Sequence, residues 1–229
     1  MILSVMLFAG LAERFGATLL DVEILSDRIT VTAFKEQLMS LYPEHASYIQ
    51  PCFMAKNQAY AGPDELIEAS DELALIPPVS GGQEADDQSE TKFVITLDPI
   101  IPDETLRKVL HNDHGASLSF VGTTREFTAG LRTVMLEYEC YVPMAIKTMQ
   151  QIESEIQQQW PGTHVAITHR IGAVAIGEIS VVIAVSSPHR EMCYSASKYA
   201  IERLKEIVPI WKKEVWEDGS EWKGSQSGR

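Results

Sequence analysis

Three segments in the second half of the chain place positive charge at the ends of predicted elements. Gly122-Thr123-Thr124-Arg125 closes a strand-like run, and Ser186-Ser187-Pro188-His189-Arg190 opens a helix-like one. Lys205-Glu206-Ile207-Val208-Pro209-Ile210-Trp211-Lys212-Lys213-Glu214 ends that helix and continues past it. His189 and Arg190, beside the free amides of a helix N-terminus, make a ready anion site. On an unbroken helix Lys205 and Lys212 would share one face, about 10 Å apart along the axis. Pro209 interrupts the helix, so the chain can fold back and bring both ammonium groups to one point. Two such cations repel, and crowding with burial favours the loss of a proton from one of them, which suits proton exchange near neutral pH. Each segment also has an ordinary structural reading: a surface or cap arginine, a solvated helix start, and a charged face with Trp211, Trp216 and Trp222 packing a core.

A fourth stretch, in the first half, is of another kind. Asp71-Glu72-Leu73-Ala74-Leu75-Ile76 reads as a buried strand and ends on Pro77-Pro78, which cannot continue a sheet. Val79 and Ser80 then lead to Gly81-Gly82, which lack side chains and can enter a narrow channel. An interdomain linker is the plainer reading of the same residues.

Periodicity supplies the elements that must hold these groups. Residues 2–8 and 19–25 are β-rich runs around a Gly-containing loop, which predicts a hairpin. From Thr32, the residues Phe34, Leu38 and Leu41 recur at helical spacing until Pro43. Cys52–Ala55 and Leu73–Ile76 are further short strands, and hairpin, helix, strands is the order of a β-grasp sheet wrapped over one helix. In the second half, Lys92–Thr96, Ser117–Gly122, Val134–Tyr141, His164–Ile171 and Ile179–Ser186 read as strands. The last is a nearly continuous β-branched run and therefore central. Helices are expected over Pro102–His111, over Pro143–Gln159, and from Ser187 as N-cap with Pro188 in the first turn to about Ile207. The fold class is α+β in two domains, 1–82 and 93–229. Between them, 83–92 reads as a flexible acidic linker.

Charge and composition limit the function. The 229 residues carry a formal charge of −13, with no run of apolar residues near the roughly 20 that span a membrane. Residues 1–82 hold 4 basic and 11 acidic side chains, whereas 93–229 hold 14 and 17, so the acid excess sits in the first half and the linker. Nucleic-acid and anionic-membrane partners are disfavoured, and an acidic carrier docking on basic partners is the natural reading. Cys52, Cys140 and Cys193 are widely separated among apolar neighbours, without metal-ligand or disulfide spacing. The apolar start lacks a basic n-region and meets Glu13 and Arg14 early, so it reads as a first strand of a cytoplasmic protein.

Residues 1–82 resemble the small subunit of molybdopterin synthase, a ubiquitin-like sulfur carrier of β-grasp fold. The resemblance lies in Leu7-Phe8-Ala9-Gly10-Leu11-Ala12-Glu13-Arg14-Phe15-Gly16, in Asn57–Leu66 and in Asp71–Gly82. Residues 93–229 resemble the large, catalytic subunit, of α/β-hammerhead type. They do so through Phe120–Arg125, His169-Arg170-Ile171-Gly172, Gly177-Glu178, Ser187–Arg190 and the Lys205-x6-Lys212 element around Pro209-Ile210-Trp211. The resemblance implies a sulfurtransferase that converts cyclic pyranopterin monophosphate into molybdopterin, with sulfur arriving as a thiocarboxylate on Gly82. It implies Lys205 as general acid/base and Lys212 as substrate holder or charge stabiliser. Arg125, His189 and Arg190 would hold the phosphate, and Thr123, Thr124, Lys213 and Glu214 would line the site. His169 and Arg170 read as structural. No metal or tightly bound cofactor is implied. The implied partners are a second copy, making a homodimer through the C-terminal domain, and an enzyme that adenylates and sulfurates the Gly-Gly end.

One departure matters. Gly82 is in peptide linkage to Gln83, and an amide carbonyl cannot be adenylated as a carboxylate can. Either the chain is cut after Gly82, which we expect, or the fused carrier is inert and a separate one supplies sulfur.

Overall fold

The computed structural model describes residues 1–77, 92–128, 131–216 and 219–223, for 128, 131 and 220–223 the backbone only. Gly82, the linker residues 83–91 and the last residues 224–229 lie outside the described residues. The chain divides into two units, Met1–Glu84 and Ala85–Arg229.

In the first unit, alternation in β1 (Ile2–Leu7) turns Leu3, Val5 and Leu7 to one face. The next element is α1 (Ala9–Phe15), where sequence reading expected a loop; Gly16, left-handed at φ 64°, closes it. β2 (Leu19–Glu23) pairs antiparallel with β1, and β3 (Ile29–Thr30) leads into α2 (Val31–Leu41). The Thr30 hydroxyl caps α2 by accepting from the Ala33 amide at 3.2 Å. Phe34 and Leu38 face inward as their spacing predicts, but Leu41 is exposed in the last turn. A 3-10 turn (Pro43–His45) and α3 (Ala46–Ile49) precede β4 (Phe53–Lys56), β5 (Ala59–Tyr60), β6 (Leu66–Ile67) and β7 (Leu73–Ile76). The main sheet runs β2-β1-β7-β4-β5, with β1 and β7 parallel at its centre. Phe34 and Leu38 pack with Leu3, Val5, Leu73 and Leu75 in one core, each such side chain contributing about 2 kcal/mol on leaving water. Five strands over one principal helix form a β-grasp.

In the second unit come β8 (Phe93–Thr96), α4 (Pro102–Arg107), β9 (Ala116–Thr123), β10 (Phe127–Thr128), β11 (Leu131–Cys140) and α5 (Val142–Gln159). They are followed by β12 (His164–Arg170), β13 (Gly172–Ala175), β14 (Ile179–Ser187), α6 (Arg190–Ile207), β15 (Ile210–Trp216) and β16 (Gly219–Lys223). One sheet has the order β8-β12-β14-β9, and a second joins β10, β11, β15 and β16, with β13 also on β11. Val165, Ile167, Val181, Ile183 and Val185 face α5 and α6, packing with Met149, Ile152, Ala196 and Leu204. Ala166 and Ala184 face the other way, against Val109 beyond α4, and the Thr105 hydroxyl donates to Thr168 Oγ1 at 2.9 Å. Helices thus cover both faces, which is why β12 and β14 read as continuous apolar runs.

Two boundaries differ from expectation. α4 stops at Arg107, short of His111. α6 begins at Arg190 with His189 in the cap position, so Ser187 is not the cap; its hydroxyl donates to the His189 carbonyl at 2.7 Å. After Pro209 the chain enters β15 antiparallel to β11. Among the described residues, no helix is long and apolar enough to cross a membrane.

Candidate active site

The core layer between the first sheet and α6 runs out at one end, and a cavity of about 250 Å³ opens there. Strand register dictates its walls. On the first sheet Gly122 pairs with Val181, and Val181 with His169, so these three lie in a row on the face that carries the core. On the second sheet Tyr138 pairs with Lys212 and Leu136 with Glu214, a tile of four side chains on one face. The last turn of α6, with Ile201, Leu204 and Lys205, and then Val208 and Ile210, closes the third side. Thr123 and Arg125 stand at the rim, where β9 ends.

Lys205 and Lys212 therefore line one cavity, together with Thr123, Arg125 and Glu214. Lys212 is not simply set against another cation. Its ammonium meets the Glu214 carboxylate at 2.8 Å, and Glu214 is only 2% exposed. Alternation along β15 puts the two on the same face, two residues apart. Lys213, between them and opposite Glu137, faces away and is not part of the lining.

Thr124 lies behind the rim. Its amide donates to the Glu178 carbonyl at 3.0 Å, and its carbonyl accepts from the Gly177 amide at 2.9 Å, which fixes the loop to the turn after β13. His189 and Arg190 are exposed at the other end of α6, about 22 Å along the helix from Lys205 and outside the lining.

Three further residues line the cavity: Tyr138 and Ser180, which the sequence reading does not mark, and His169, which it reads as structural. His169 is 4% exposed, and burial pushes its imidazole down to about 4, a carbonyl hydrogen bond acting weakly against this. Nδ1 lies 2.8 Å from the Arg170 carbonyl, which can only accept, so Nδ1 carries the proton. Tyr138 packs edge-on against that ring at a centroid distance of 5.1 Å. Burial pushes its phenol up, the neighbouring Ser180 hydroxyl acts against this, and the Glu214 carboxylate adds to the rise. Ser180 reaches the cavity because β14 is irregular between Ile179 and Val181, and its hydroxyl donates to the Gly122 carbonyl at 3.3 Å. Neither the register nor the bulge is readable from local sequence. Among the described residues, no group of His, Cys, Asp and Glu side chains could hold a metal ion.

Chemically, the cavity combines hydrogen-bond donors and positive charge from Lys205, Lys212, Arg125 and Thr123 with one paired carboxylate and one neutral imidazole. That set suits an anionic, nitrogen-rich small molecule.

Comparison with known proteins agrees with this division of the chain. The ThiS family matches residues 5–82, and the MoaE protein family matches residues 95–207. The molybdopterin synthase catalytic subunit of Bacillus subtilis (strain 168) is 56% identical over 135 residues, covering 59% of this chain and 86% of that protein. That of Staphylococcus carnosus (strain TM300) is 54% identical over 137 residues, covering 60% and 91%. The crystal structure of molybdopterin synthase from Staphylococcus aureus superimposes with a TM-score of 0.57 at 53% identity, over 58% of this chain and 97% of that one. A MoaE protein from Burkholderia ambifaria MC40-6 gives 0.53 at 28% identity, over 60% and 92%. The chain thus belongs to the MoaE family of molybdopterin synthase catalytic subunits, and it carries a ThiS-family β-grasp domain ahead of that module on the same polypeptide.

Proposed function

We propose that the chain makes molybdopterin by transferring sulfur from glycine thiocarboxylates to cyclic pyranopterin monophosphate, each carrier giving one of the two sulfurs of the dithiolene. The observation that carries this is the convergence of Lys205, Lys212, Arg125 and Thr123 on one cavity, with Lys212 held by a buried carboxylate. Lys205 exchanges protons as sulfur adds and the glycyl group leaves. Lys212, fixed by Glu214, stabilises negative charge developing on the substrate. Arg125 and Thr123 at the rim take the phosphate.

The sulfur carrier is the N-terminal domain, cut after Gly82 so that a carboxylate exists to be adenylated by a partner enzyme and sulfurated. Intact-mass measurement on protein from its own host should show a fragment ending at Gly82 and, in part of it, a sulfur-for-oxygen shift. Full-length protein alone, making molybdopterin with its own domain as the sulfur source, would overturn the cleavage. The catalytic module works as a homodimer, and a second copy is the way His189 and Arg190 can serve a site about 22 Å from their own helix end. The reaction is tested by giving the full chain cyclic pyranopterin monophosphate and a thiocarboxylated carrier under anaerobic conditions. The two-sulfur product is expected, and its absence would overturn the assignment.

A further inference from the structure

We infer that His169 is a specificity-determining residue: its Nε2 accepts a hydrogen bond from an N–H of the substrate's pterin ring. The inference rests on the functional reading above. The donors and acceptors of the cavity lead to it. Lysine and arginine can only donate, so Lys205, Lys212 and Arg125 match the phosphate and carbonyl oxygens of a ligand. Glu214 accepts too, with one of its oxygens taken by the Lys212 ammonium. The Ser180 hydroxyl gives its proton to the Gly122 carbonyl and keeps its oxygen lone pairs. A reduced pterin presents several N–H groups, and each one that is buried needs an acceptor of its own.

His169 adds a neutral nitrogen acceptor to the oxygen acceptors of the lining. Its Nδ1–H is committed to the Arg170 carbonyl, which fixes the tautomer and leaves a lone pair on Nε2. Among the described residues, nothing donates a hydrogen bond to that nitrogen. The ring is buried, lines the cavity and is braced by Tyr138. Its position follows from the fold, because β12 ends its inward-facing series Val165, Ile167, His169 where the core layer gives way to the cavity. A buried histidine that served packing alone would need no open acceptor facing a cationic pocket. This one divides the site into a charged rim for the phosphate and a neutral floor for the heterocycle.

The test compares two substitutions in the full-length protein by calorimetric titration. Asn in His169→Asn can keep the bond to the Arg170 carbonyl but cannot reach the Nε2 position. Gln in His169→Gln can place an amide oxygen there. His169→Asn should weaken binding of cyclic pyranopterin monophosphate about 10- to 100-fold and leave binding of inorganic phosphate unchanged. His169→Gln should recover to within about threefold of wild type. Wild-type protein with ¹⁵N-labelled histidine gives a readout that does not depend on a variant folding. One ring nitrogen of His169 should resonate as unprotonated and move upfield when the pterin is added, but not when phosphate is added. Unchanged pterin binding by His169→Asn, or equal loss of pterin and phosphate binding, would overturn the inference. So would a histidine resonance indifferent to the pterin. Failure of the wild type to bind the pterin would instead remove the functional reading on which the inference stands.

Discussion

At the N-terminal end of α6, His189 and Arg190 are exposed beside the free amides of the first turn, outside the cavity of their own chain. At the other end, Lys205 stands in the last turn and lines a cavity that two sheets complete. In the sequence the first end reads as an anion site and the second as a lysine pair suited to proton exchange. A helix terminus offers charge, whereas a site also needs walls, and among the described residues of one chain these stand at the C-terminal end. Strand β15 repeats the contrast over three residues. Lys212 and Glu214 face the cavity and each other, and Lys213 faces away. Position relative to walls, more than charge, separates a site residue from a surface one.

The sharpest way to break this comparison is to remove the two adjacent lysines separately. Lys212→Ala should lower kcat for sulfur transfer about 100-fold or more, and Lys213→Ala less than about threefold, in steady-state assays on protein folded by circular dichroism. Equal losses would mean that the alternation along β15 does not decide function.

The buried floor has its own signature in pH. Above about pH 6.5 the His169 imidazole is neutral both folded and unfolded and costs nothing. Below that, the unfolded chain takes up a proton that the folded site refuses until about pH 4. Stability therefore falls through this window and levels off beneath it, by about 3 kcal/mol in all for this residue. Burial pulls His114 and His164 down as well, so the measurement is the difference between wild type and His169→Gln in urea titrations from pH 7 to 4. A difference that does not change with pH would contradict a buried neutral imidazole.

Glu214→Gln keeps the shape of the side chain but removes the charge that holds Lys212. It should cost about 1–3 kcal/mol in denaturant titration and reduce kcat without a matching rise in KM. A Cβ on Gly122 would lie 2.7 Å from Val181 Cγ1, closer than side chains tolerate. Gly122→Ala should therefore cost about 1–2 kcal/mol and raise KM by narrowing the cavity mouth. The smallest signal joins the two ends of α6. If a second copy supplies Arg190, mixing inactive Lys205→Ala and Arg190→Ala subunits should restore about a quarter of wild-type activity, because half the dimers then hold one complete site. No recovery after subunit exchange would place Arg190 outside the site altogether.

Much of the fold is legible in the sequence wherever local signals agree. Phe34 and Leu38 at helical spacing ahead of Pro43 define α2, and the β-branched run of Ile179–Ser186 marks the central strand. Where signals are thin, reading fails. Ala9–Phe15 buries only Ala9 and Leu11, too little periodicity to announce α1. Ser187-Pro188 resembles a helix start, yet the Ser187 hydroxyl bonds ahead to the His189 carbonyl and the helix begins two residues after Pro188. The site divides in the same way. Pro209 shows in sequence that Lys205 and Lys212 need not remain on one helix. Tyr138, Ser180 and His169 join them only through cross-strand register and a bulge in β14, which are settled between segments distant in the chain.

The central claim is that the lysine-lined cavity performs the sulfur transfer. It is tested most directly by mass spectrometry of the pterin product from full-length Lys205→Ala, folded as wild type and supplied with thiocarboxylated carrier and cyclic pyranopterin monophosphate. The two-sulfur product should form with wild type and be reduced about 100-fold or more with the variant. Formation of that product by the variant at the wild-type rate would contradict the account.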